Sequence, residues 1–219
     1  MDLSKDYKKE KLTIDLVKAN VIAIVSIIPI ALILGFPYYL LWPEQFTFNG
    51  FREYLIGLSP GIVGGGALLV FVAMIGGIVA HELIHGISWA MYAENGFKSI
   101  KFGILWKMLT PYCHCREPLK VKHYIMGAIM PGILIGIVPS IIAITSGNPA
   151  LLIFGIFFTM AASGDLMIIN LLKNENGNDL VLDHPSEAGC FMFRKIEENV
   201  AERTIVVPYE LTSREWERN

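Results

Sequence analysis

The chain has 219 residues, of which 53% are hydrophobic and 17% charged, and its formal net charge is −2. A soluble domain of this length carries about a quarter charged residues, so the composition argues against a soluble globular protein. The chain also contains no basic patch with interleaved aromatic residues, and we therefore expect no nucleic acid partner.

Four apolar stretches follow one another along the chain, and each reaches the ~20 residues that a helix needs to cross a ~30 Å hydrocarbon core. They run from Ala19 to Trp42, from Pro60 to Ala80 and beyond, from Tyr124 to Thr145, and from Pro149 to Leu172. Eighteen mostly polar residues precede the first stretch and no small-residue cleavage site follows it, which indicates a retained span rather than a signal peptide. The sequence therefore predicts an all-α integral membrane protein with about four transmembrane helices in the lipid bilayer.

The four spans and their loops form one predicted domain, residues 1–172, and residues 173–219 form a polar cytosolic tail. The tail has a turn-rich piece at residues 174–179, followed by short apolar runs that are candidate strands. We expect the tail to cap one end of the bundle rather than to act as a second active domain.

Lysine and arginine residues are distributed unevenly between the two sides of this four-span arrangement. Seventeen of the eighteen lie before the first span, between the second and third spans, or in the tail, and Arg52 is the exception. The positive-inside rule assigns the side rich in these residues to the cytosol. We therefore predict a plasma-membrane protein with both termini in the cytosol.

The segment His81-Glu82-Leu83-Ile84-His85 lies at the cytosolic end of the second span. Residues four apart share one face of a helix, so both imidazoles can bind a single Zn2+ ion. Glu82 lies beside them, where it can act on a zinc-bound water instead of binding the metal. The ion lowers the pKa of that water toward ~7, and the glutamate takes its proton as general base during attack on a carbonyl. The spacing thus predicts a zinc-dependent hydrolase.

A catalytic zinc site needs a third protein ligand, which leaves one position for water. Asp165 is the only ionisable residue of the fourth stretch, and a carboxylate in hydrocarbon is costly unless it is paired or bound to a metal. At a rise of ~1.5 Å per residue, it lies about two turns from the cytosolic end of its helix, near the depth of His81 and His85. Asp165 is thus the first candidate, and His123 and His114 are the alternatives.

Three cysteines, Cys113, Cys115 and Cys190, fall on the predicted cytosolic side, where thiols stay reduced. The segment Cys113-His114-Cys115 contains zinc-ligand residue types, but its spacing differs from that of a zinc knuckle and no second pair of cysteines occurs. A structural role is therefore the favoured interpretation.

Beyond the five-residue motif, the chain resembles a family of bacterial and archaeal membrane proteins described as putative zincin peptidases. The resemblance extends over most of the chain and rests on His81-Glu82-Leu83-Ile84-His85-Gly86, Lys101-Phe102-Gly103, Tyr112-Cys113-His114-Cys115, Glu117-Pro118, Tyr124, Met130-Pro131, Gly164-Asp165 and Val181-Leu182-Asp183. It implies a zinc metalloendopeptidase of the HExxH type.

More distantly, the chain is similar to the site-2 proteases, which are intramembrane metalloproteases that cut membrane-spanning substrates. That similarity implies that the two motif histidines and Asp165 bind zinc, with Glu82 as the catalytic base. It also implies a membrane-associated hairpin over residues 97–118, next to the site, that can add a substrate strand by backbone pairing.

The leading prediction is a peptidase that hydrolyses a peptide bond of a membrane protein or peptide at, or just inside, the cytosolic membrane face. Two alternatives use the same residues: a zinc-binding membrane scaffold without hydrolysis, and a metal-dependent hydrolase of a lipid or prenyl substrate. A scaffold has no use for an acid that does not bind the metal, so Glu82 favours an enzyme.

Overall fold

The computed structural model describes residues 7–50, 52, 60–105, 110–184 and 187–196. The predicted site residues all lie within this part of the chain. Residues 197–219 of the predicted tail, the first six residues and Lys107 of the loop between the second and third spans lie outside it.

Helices make up the bundle of the described part. They are α1 (Leu16–Leu41), α2 (Pro60–Ala90), α3 (Val121–Pro131), α4 (Val138–Ser146), α5 (Pro149–Ala161) and α6 (Ser163–Leu172), with a π-helix at Gly132–Ile137 and short 3-10 turns at Pro43–Phe46 and Gly96–Ser99.

Four stretches of these helices are long and apolar enough to cross a membrane. We call them spans 1 to 4, and they are Val17–Leu41, Leu68–Ala90, Val121–Ser146 and Pro149–Leu172. The four spans predicted from the sequence are therefore confirmed in their length and apolar character. Span 2 continues well beyond Ala80, so the motif histidines lie inside the helix rather than at its end.

Six strands are present in the described residues. They are β1 (Tyr7–Thr13), β2 (Ile100–Leu105), β3 (Thr110–Cys115), β4 (Leu119–Lys120), β5 (Leu180–Asp183) and β6 (Gly189–Lys195). Four of them form an antiparallel sheet in the order β1-β6-β5-β4. The prediction of an all-α protein was therefore incomplete. The strands of the protein have only two to seven residues, so they are too short to appear in a hydropathy pattern averaged over the length of a span.

The sheet gathers the segments that precede span 1, that join spans 2 and 3, and that follow span 4. All three segments therefore lie at one end of the bundle, which we call the sheet end. Arg194 of β6 contacts Glu10 of β1, and its guanidinium lies 2.6 Å from the carboxylate of Glu175, in the loop after α6. At the opposite end, Gln45 Nε2 donates to the carbonyl of Gly147 at 3.0 Å, which joins the turn between spans 3 and 4 to the segment after span 1.

The hairpin predicted between spans 2 and 3 is formed by β2 and β3, with Phe102 opposite Cys113. Just beyond the hairpin, the Arg116 N–H donates to the carbonyl of Ser99. In an antiparallel ladder, alternate residues then turn their backbone groups away from the partner strand. Cys115 and Cys113 accordingly direct their N–H groups away from β2, and the Cys115 N–H donates to Asp183 at 2.7 Å.

Spans 3 and 4 pack against each other through small residues. A Cβ atom on Gly155 would lie 2.2 Å from the hydroxyl oxygen of Ser140, and one on Gly136 would lie 2.9 Å from the backbone nitrogen of Thr159. Glycine at these positions lets the two helix backbones approach closely, as is common in membrane bundles.

The principal core lies where the sheet packs against the bundle. It combines Trp89 of α2, Tyr124 of α3 and Leu172 of α6 with Val181 and Met192 of the sheet. Leu172, Val181 and Met192 are almost completely buried. This core holds the sheet ends of spans 2, 3 and 4 together, close to the residues predicted to bind the metal.

Candidate metal centre

His81 and His85 lie one turn apart on the same face of α2, as the spacing predicts. Their Nε2 atoms are 3.2 Å apart, and the two residues are only 8% and 4% exposed. Both imidazoles therefore direct a ring nitrogen to the same small volume inside the bundle.

Asp165 reaches the histidines from span 4. Helix α5 ends at Ala161 and α6 begins at Ser163, so Asp165 lies in the first turn of a new helix, where the helix dipole stabilises a carboxylate. Its Oδ2 atom is 3.1 Å from His81 Nε2, and its Oδ1 atom is 3.3 Å from His85 Nε2. Within the described part of the chain, these three residues form the one group of metal-binding side chains close enough to share an ion.

The three side chains are close enough to share a zinc ion, because one ligand atom from each lies within 4.8 Å of the other two. Tetrahedral ligands at about 2.0–2.1 Å from zinc lie about 3.3 Å from one another. Here the two Nε2 atoms are 3.2 Å apart, and each lies within 3.3 Å of one of the two Asp165 carboxylate oxygens. Two imidazole nitrogens and one carboxylate oxygen are also a donor set of catalytic zinc sites, with a further position left for water or substrate. The residues therefore fit zinc, and their role as ligands stays a prediction.

A hydrogen bond fixes the other side of the His85 ring. Its Nδ1 atom lies 2.9 Å from the carbonyl oxygen of Gly127. Because a carbonyl only accepts, Nδ1 carries the proton and Nε2 presents a lone pair. The ring also stacks on Trp89, with centroids 5.0 Å apart. Outer contacts of this kind set the tautomer and the orientation of metal-binding histidines. The Nδ1 atom of His81 has no such partner among the described residues.

Glu82 and His81 line a cavity of about 240 Å³. The rest of the lining is apolar and comes from α2, β3 and α5: Ile78, Pro111, Phe157, Phe158 and Ala161. The backbone of Cys113 forms a hydrogen bond with the Glu82 carboxylate, so β3 reaches this acid. The predicted general base thus faces a space beside the histidines that a substrate can enter.

The alternative third ligands lie in other surroundings. His123 stacks on Tyr92 with ring centroids 4.0 Å apart, and His114 lies opposite Lys101 in the hairpin. Neither histidine belongs to the group of potential metal ligands found in the described residues. The geometry therefore favours Asp165 over both.

The thiols of the Cys113-His114-Cys115 segment are poor metal ligands in their present environment. Burial raises the pKa of the Cys113 thiol well above its usual range and raises that of Cys115 to about 11. Burial likewise raises the pKa of Cys190 to about 12. Since the thiolate is the form that binds a metal, protonated thiols at neutral pH favour the structural role expected from the sequence.

Three residues support the site without having been assigned a role from the sequence. Gly127 acts through its backbone carbonyl, which every residue has, so its residue type does not indicate this role. Trp89 Nε1 donates to the carbonyl of Tyr124 at 3.0 Å and so ties α2 to α3. Asp183 accepts hydrogen bonds from Tyr124 and Cys115. One available signal was Pro131, because a proline frees the carbonyl four residues before it.

Residues 74–179 match the model of a protein family described as "Putative zincin peptidase". The matched stretch begins within α2 and ends just before β5, so it contains Glu82 and the three grouped side chains. No curated protein and no solved structure matches the chain. The more distant similarity to the site-2 proteases therefore stays a prediction.

Proposed function

We propose that this protein is a membrane-embedded zinc metalloendopeptidase, because residues 74–179 match the model of a family described as "Putative zincin peptidase", for which zinc is the implied cofactor. It hydrolyses peptide bonds at or within the cytosolic side of the membrane. The observation that carries the proposal is the group of His81, His85 and Asp165, in which each histidine Nε2 lies within 3.3 Å of an Asp165 carboxylate oxygen, beside a cavity that Glu82 lines.

Each polar residue of the site has one part in this mechanism. His81, His85 and Asp165 hold the metal, and zinc bound there supplies the positive charge that activates water and polarises the substrate carbonyl. Glu82 accepts the proton of the attacking water and returns it to the departing amine nitrogen. The hydrogen bond with the Cys113 backbone holds the Glu82 carboxylate on the cavity side of α2.

The cavity and the hairpin support a peptide substrate with apolar side chains. Apart from His81 and Glu82, the lining residues are apolar, which suits a side chain from a membrane-spanning segment. The edge of β3 that faces away from β2 carries the backbone carbonyls of Pro111 and Cys113, and Pro111 also lines the cavity. A substrate strand that donates its N–H groups to these carbonyls would lie alongside Glu82.

The depth of the site supports cleavage within the membrane. His81 is nine residues from the sheet end of α2 at Ala90, which corresponds to about 14 Å along the helix axis. Asp165 is seven residues from the sheet end of α6 at Leu172, or about 10 Å. The excess of lysine and arginine at the sheet end supports placing that end in the cytosol.

A metal-dependent lipid or prenyl hydrolase is the second candidate function. The observation that favours it is the same apolar cavity lining, since Phe157 and Phe158 suit an acyl or prenyl chain as well as an apolar side chain. A zinc-binding scaffold is less well supported. Glu82 lines the cavity but is not one of the three residues grouped as potential metal ligands, and a scaffold would not need it.

The test compares cells that carry the wild-type chain with cells that carry Glu82→Gln, by proteomics and by lipid analysis. The matched control is Glu94→Gln, which changes an exposed carboxylate just beyond the end of the same helix. We expect peptide products that disappear in Glu82→Gln and persist in Glu94→Gln, while zinc content stays stoichiometric in both purified variants. Loss of a general base typically lowers the rate by ~10²–10⁴-fold.

Other outcomes reject the proposal in distinct ways. Near-normal turnover by Glu82→Gln would exclude this glutamate as the base. Products that are lipids rather than peptides would favour the second candidate function, and a wild-type protein that binds zinc without any turnover would favour the scaffold.

A further inference from the structure

Pro131 changes the hydrogen bonding of span 3 next to the metal centre. Proline lacks a backbone N–H, and its ring conflicts with the carbonyl of the residue four positions earlier in a helix. That residue is Gly127. The next N–H along the chain, that of Gly132, donates to the carbonyl of Ile129 and not to that of Gly127. Neither Pro131 nor Gly132 therefore donates a backbone hydrogen bond to the Gly127 carbonyl.

This carbonyl is the group that accepts the proton of His85 Nδ1, at 2.9 Å. The approach is close because Gly127 has no side chain: a Cβ atom there would lie 2.2 Å from the indole ring of Trp89. The same indole stacks on the His85 ring with an interplanar angle of 14°. The imidazole is thus held by a hydrogen bond at one edge and by ring contact on one face.

We infer that Pro131 is a positioning residue of the metal centre, which acts through the Gly127 carbonyl on His85. By withholding a competing N–H, it leaves that carbonyl available to hold His85 in the tautomer with the proton on Nδ1. The Nε2 lone pair then points toward His81 and Asp165, at 3.2 and 3.3 Å. The inference rests on the proposed metal centre but not on peptide hydrolysis.

Pro131→Ala is the first test, because it introduces an N–H that competes with His85 for the Gly127 carbonyl. Loss of an outer partner of a metal-binding histidine lowers metal affinity by ~10–100-fold, and we expect a loss of that size. The measurement is zinc affinity of the purified full-length protein in lipid nanodiscs, by competition with a chromogenic chelator. An unchanged affinity would overturn the inference.

A second variant separates the missing N–H from the shape of the proline ring. Replacing Pro131 by the α-hydroxy acid analogue of alanine places an ester oxygen where alanine has its N–H. This variant resembles alanine in size but cannot donate to Gly127, so we expect zinc affinity close to that of the wild type. A loss equal to that of Pro131→Ala would overturn the inference, because the ring and not the absent donor would then be responsible.

Two controls complete the design. Pro139→Ala removes the other proline of span 3, which lies eight residues further along the chain, and should leave zinc affinity within a few-fold of the wild type. An equal loss in Pro139→Ala would overturn the inference in favour of a general effect of span 3 shape. His85→Ala should lose zinc binding. Retention of zinc by that variant would reject the metal centre itself, which distinguishes failure of the proposed function from failure of the role of Pro131.

Discussion

Tyr124 donates its hydroxyl to the carboxylate of Asp183, and this hydrogen bond joins span 3 to strand β5. The second carboxylate oxygen accepts the N–H of Cys115 in the hairpin at 2.7 Å. Tyr124 also stacks on Trp89, which stacks on His85. One buried carboxylate of the sheet is therefore connected, through two aromatic rings, to a residue of the candidate metal centre.

This arrangement predicts how acid affects the stability of the protein. Burial raises the pKa of Asp183, although Tyr124 and Cys115 donate to it. The folded protein therefore binds this proton more tightly than the unfolded chain, whose pKa is about 3.9. Stability from this group falls as pH rises through the raised pKa, and it returns as pH falls toward the unfolded value.

The test compares the wild type with Asp183→Asn, which cannot titrate at this position. We expect the free energy of unfolding of the wild type, relative to the variant, to increase between pH 7 and pH 4. The increase is about 1.4 kcal/mol for each unit by which the pKa is raised. Detergent-induced unfolding followed at several pH values gives the measurement, and a relative stability that decreases on acidification would contradict the prediction.

Asp165 provides the second prediction. Asp165→Ala removes one of three donors and leaves two histidines, so we expect zinc content to fall sharply, whereas Asp165→Glu retains some metal in altered geometry. His114→Ala and His123→Ala are the matched controls, since neither histidine joins the donor group in the described residues. Metal analysis of the purified variants provides the readout. Stoichiometric zinc in Asp165→Ala together with a loss in His123→Ala would move the third ligand to His123.

Two adjacent glycines of α2 provide the third prediction. A Cβ atom on Gly77 would lie 2.3 Å from the ring of Phe158, which is 1% exposed and lines the cavity, whereas one on Gly76 would meet nothing within 4 Å. Overpacking a buried site costs about 1–3 kcal/mol. We expect Gly77→Ala to lower the free energy of unfolding by that amount and Gly76→Ala to leave it within about 1 kcal/mol. Equal losses in unfolding measurements would show that the Phe158 contact is not the cause.

The fourth prediction concerns orientation in the membrane. Because the sheet gathers the segments before span 1, between spans 2 and 3 and after span 4 at one end of the bundle, reporters fused after Lys107 and after Asn219 should report the cytosol. Reporters fused after Asn49 and after Gly147 should report the outside. At each position two reporters are fused in separate proteins, one that is active only in the cytosol and one that is active only outside, so each assignment is tested twice. A C-terminal reporter that is active outside would place the metal centre near the other membrane face.

Several parts of the site followed from the sequence because they depend on short-range geometry. The spacing of His81 and His85 requires one helix face, and the helix rise placed Asp165 at a matching depth. Each histidine Nε2 lies within 3.3 Å of a carboxylate oxygen of Asp165, and the two Nε2 atoms are 3.2 Å apart. The hairpin was expected through resemblance rather than through its own pattern, and the structure contains it.

The sheet and the outer support of His85 did not follow from the sequence, for physical reasons. Strand β4 has two residues, and β1 acquires its partner β6 from the far end of the chain, so no local periodicity predicts their pairing. Gly127 contributes a backbone carbonyl, which every residue has. Only a proline four positions later distinguishes that carbonyl from the others in its helix.

The pairing of β1 with β6 has a consequence for synthesis of the protein. These strands pair from Tyr7 opposite Lys195 to Thr13 opposite Gly189, so β1 leaves the ribosome long before its partner exists. All four spans are translated in the interval, and every donor atom of the metal centre is made before β5 and β6. The nascent chain therefore carries all the residues that are predicted to bind the metal before the sheet can form. We expect the proposed centre to become firmly oriented only when translation has passed Lys195, which would delay the proposed hydrolysis until β6 has been made.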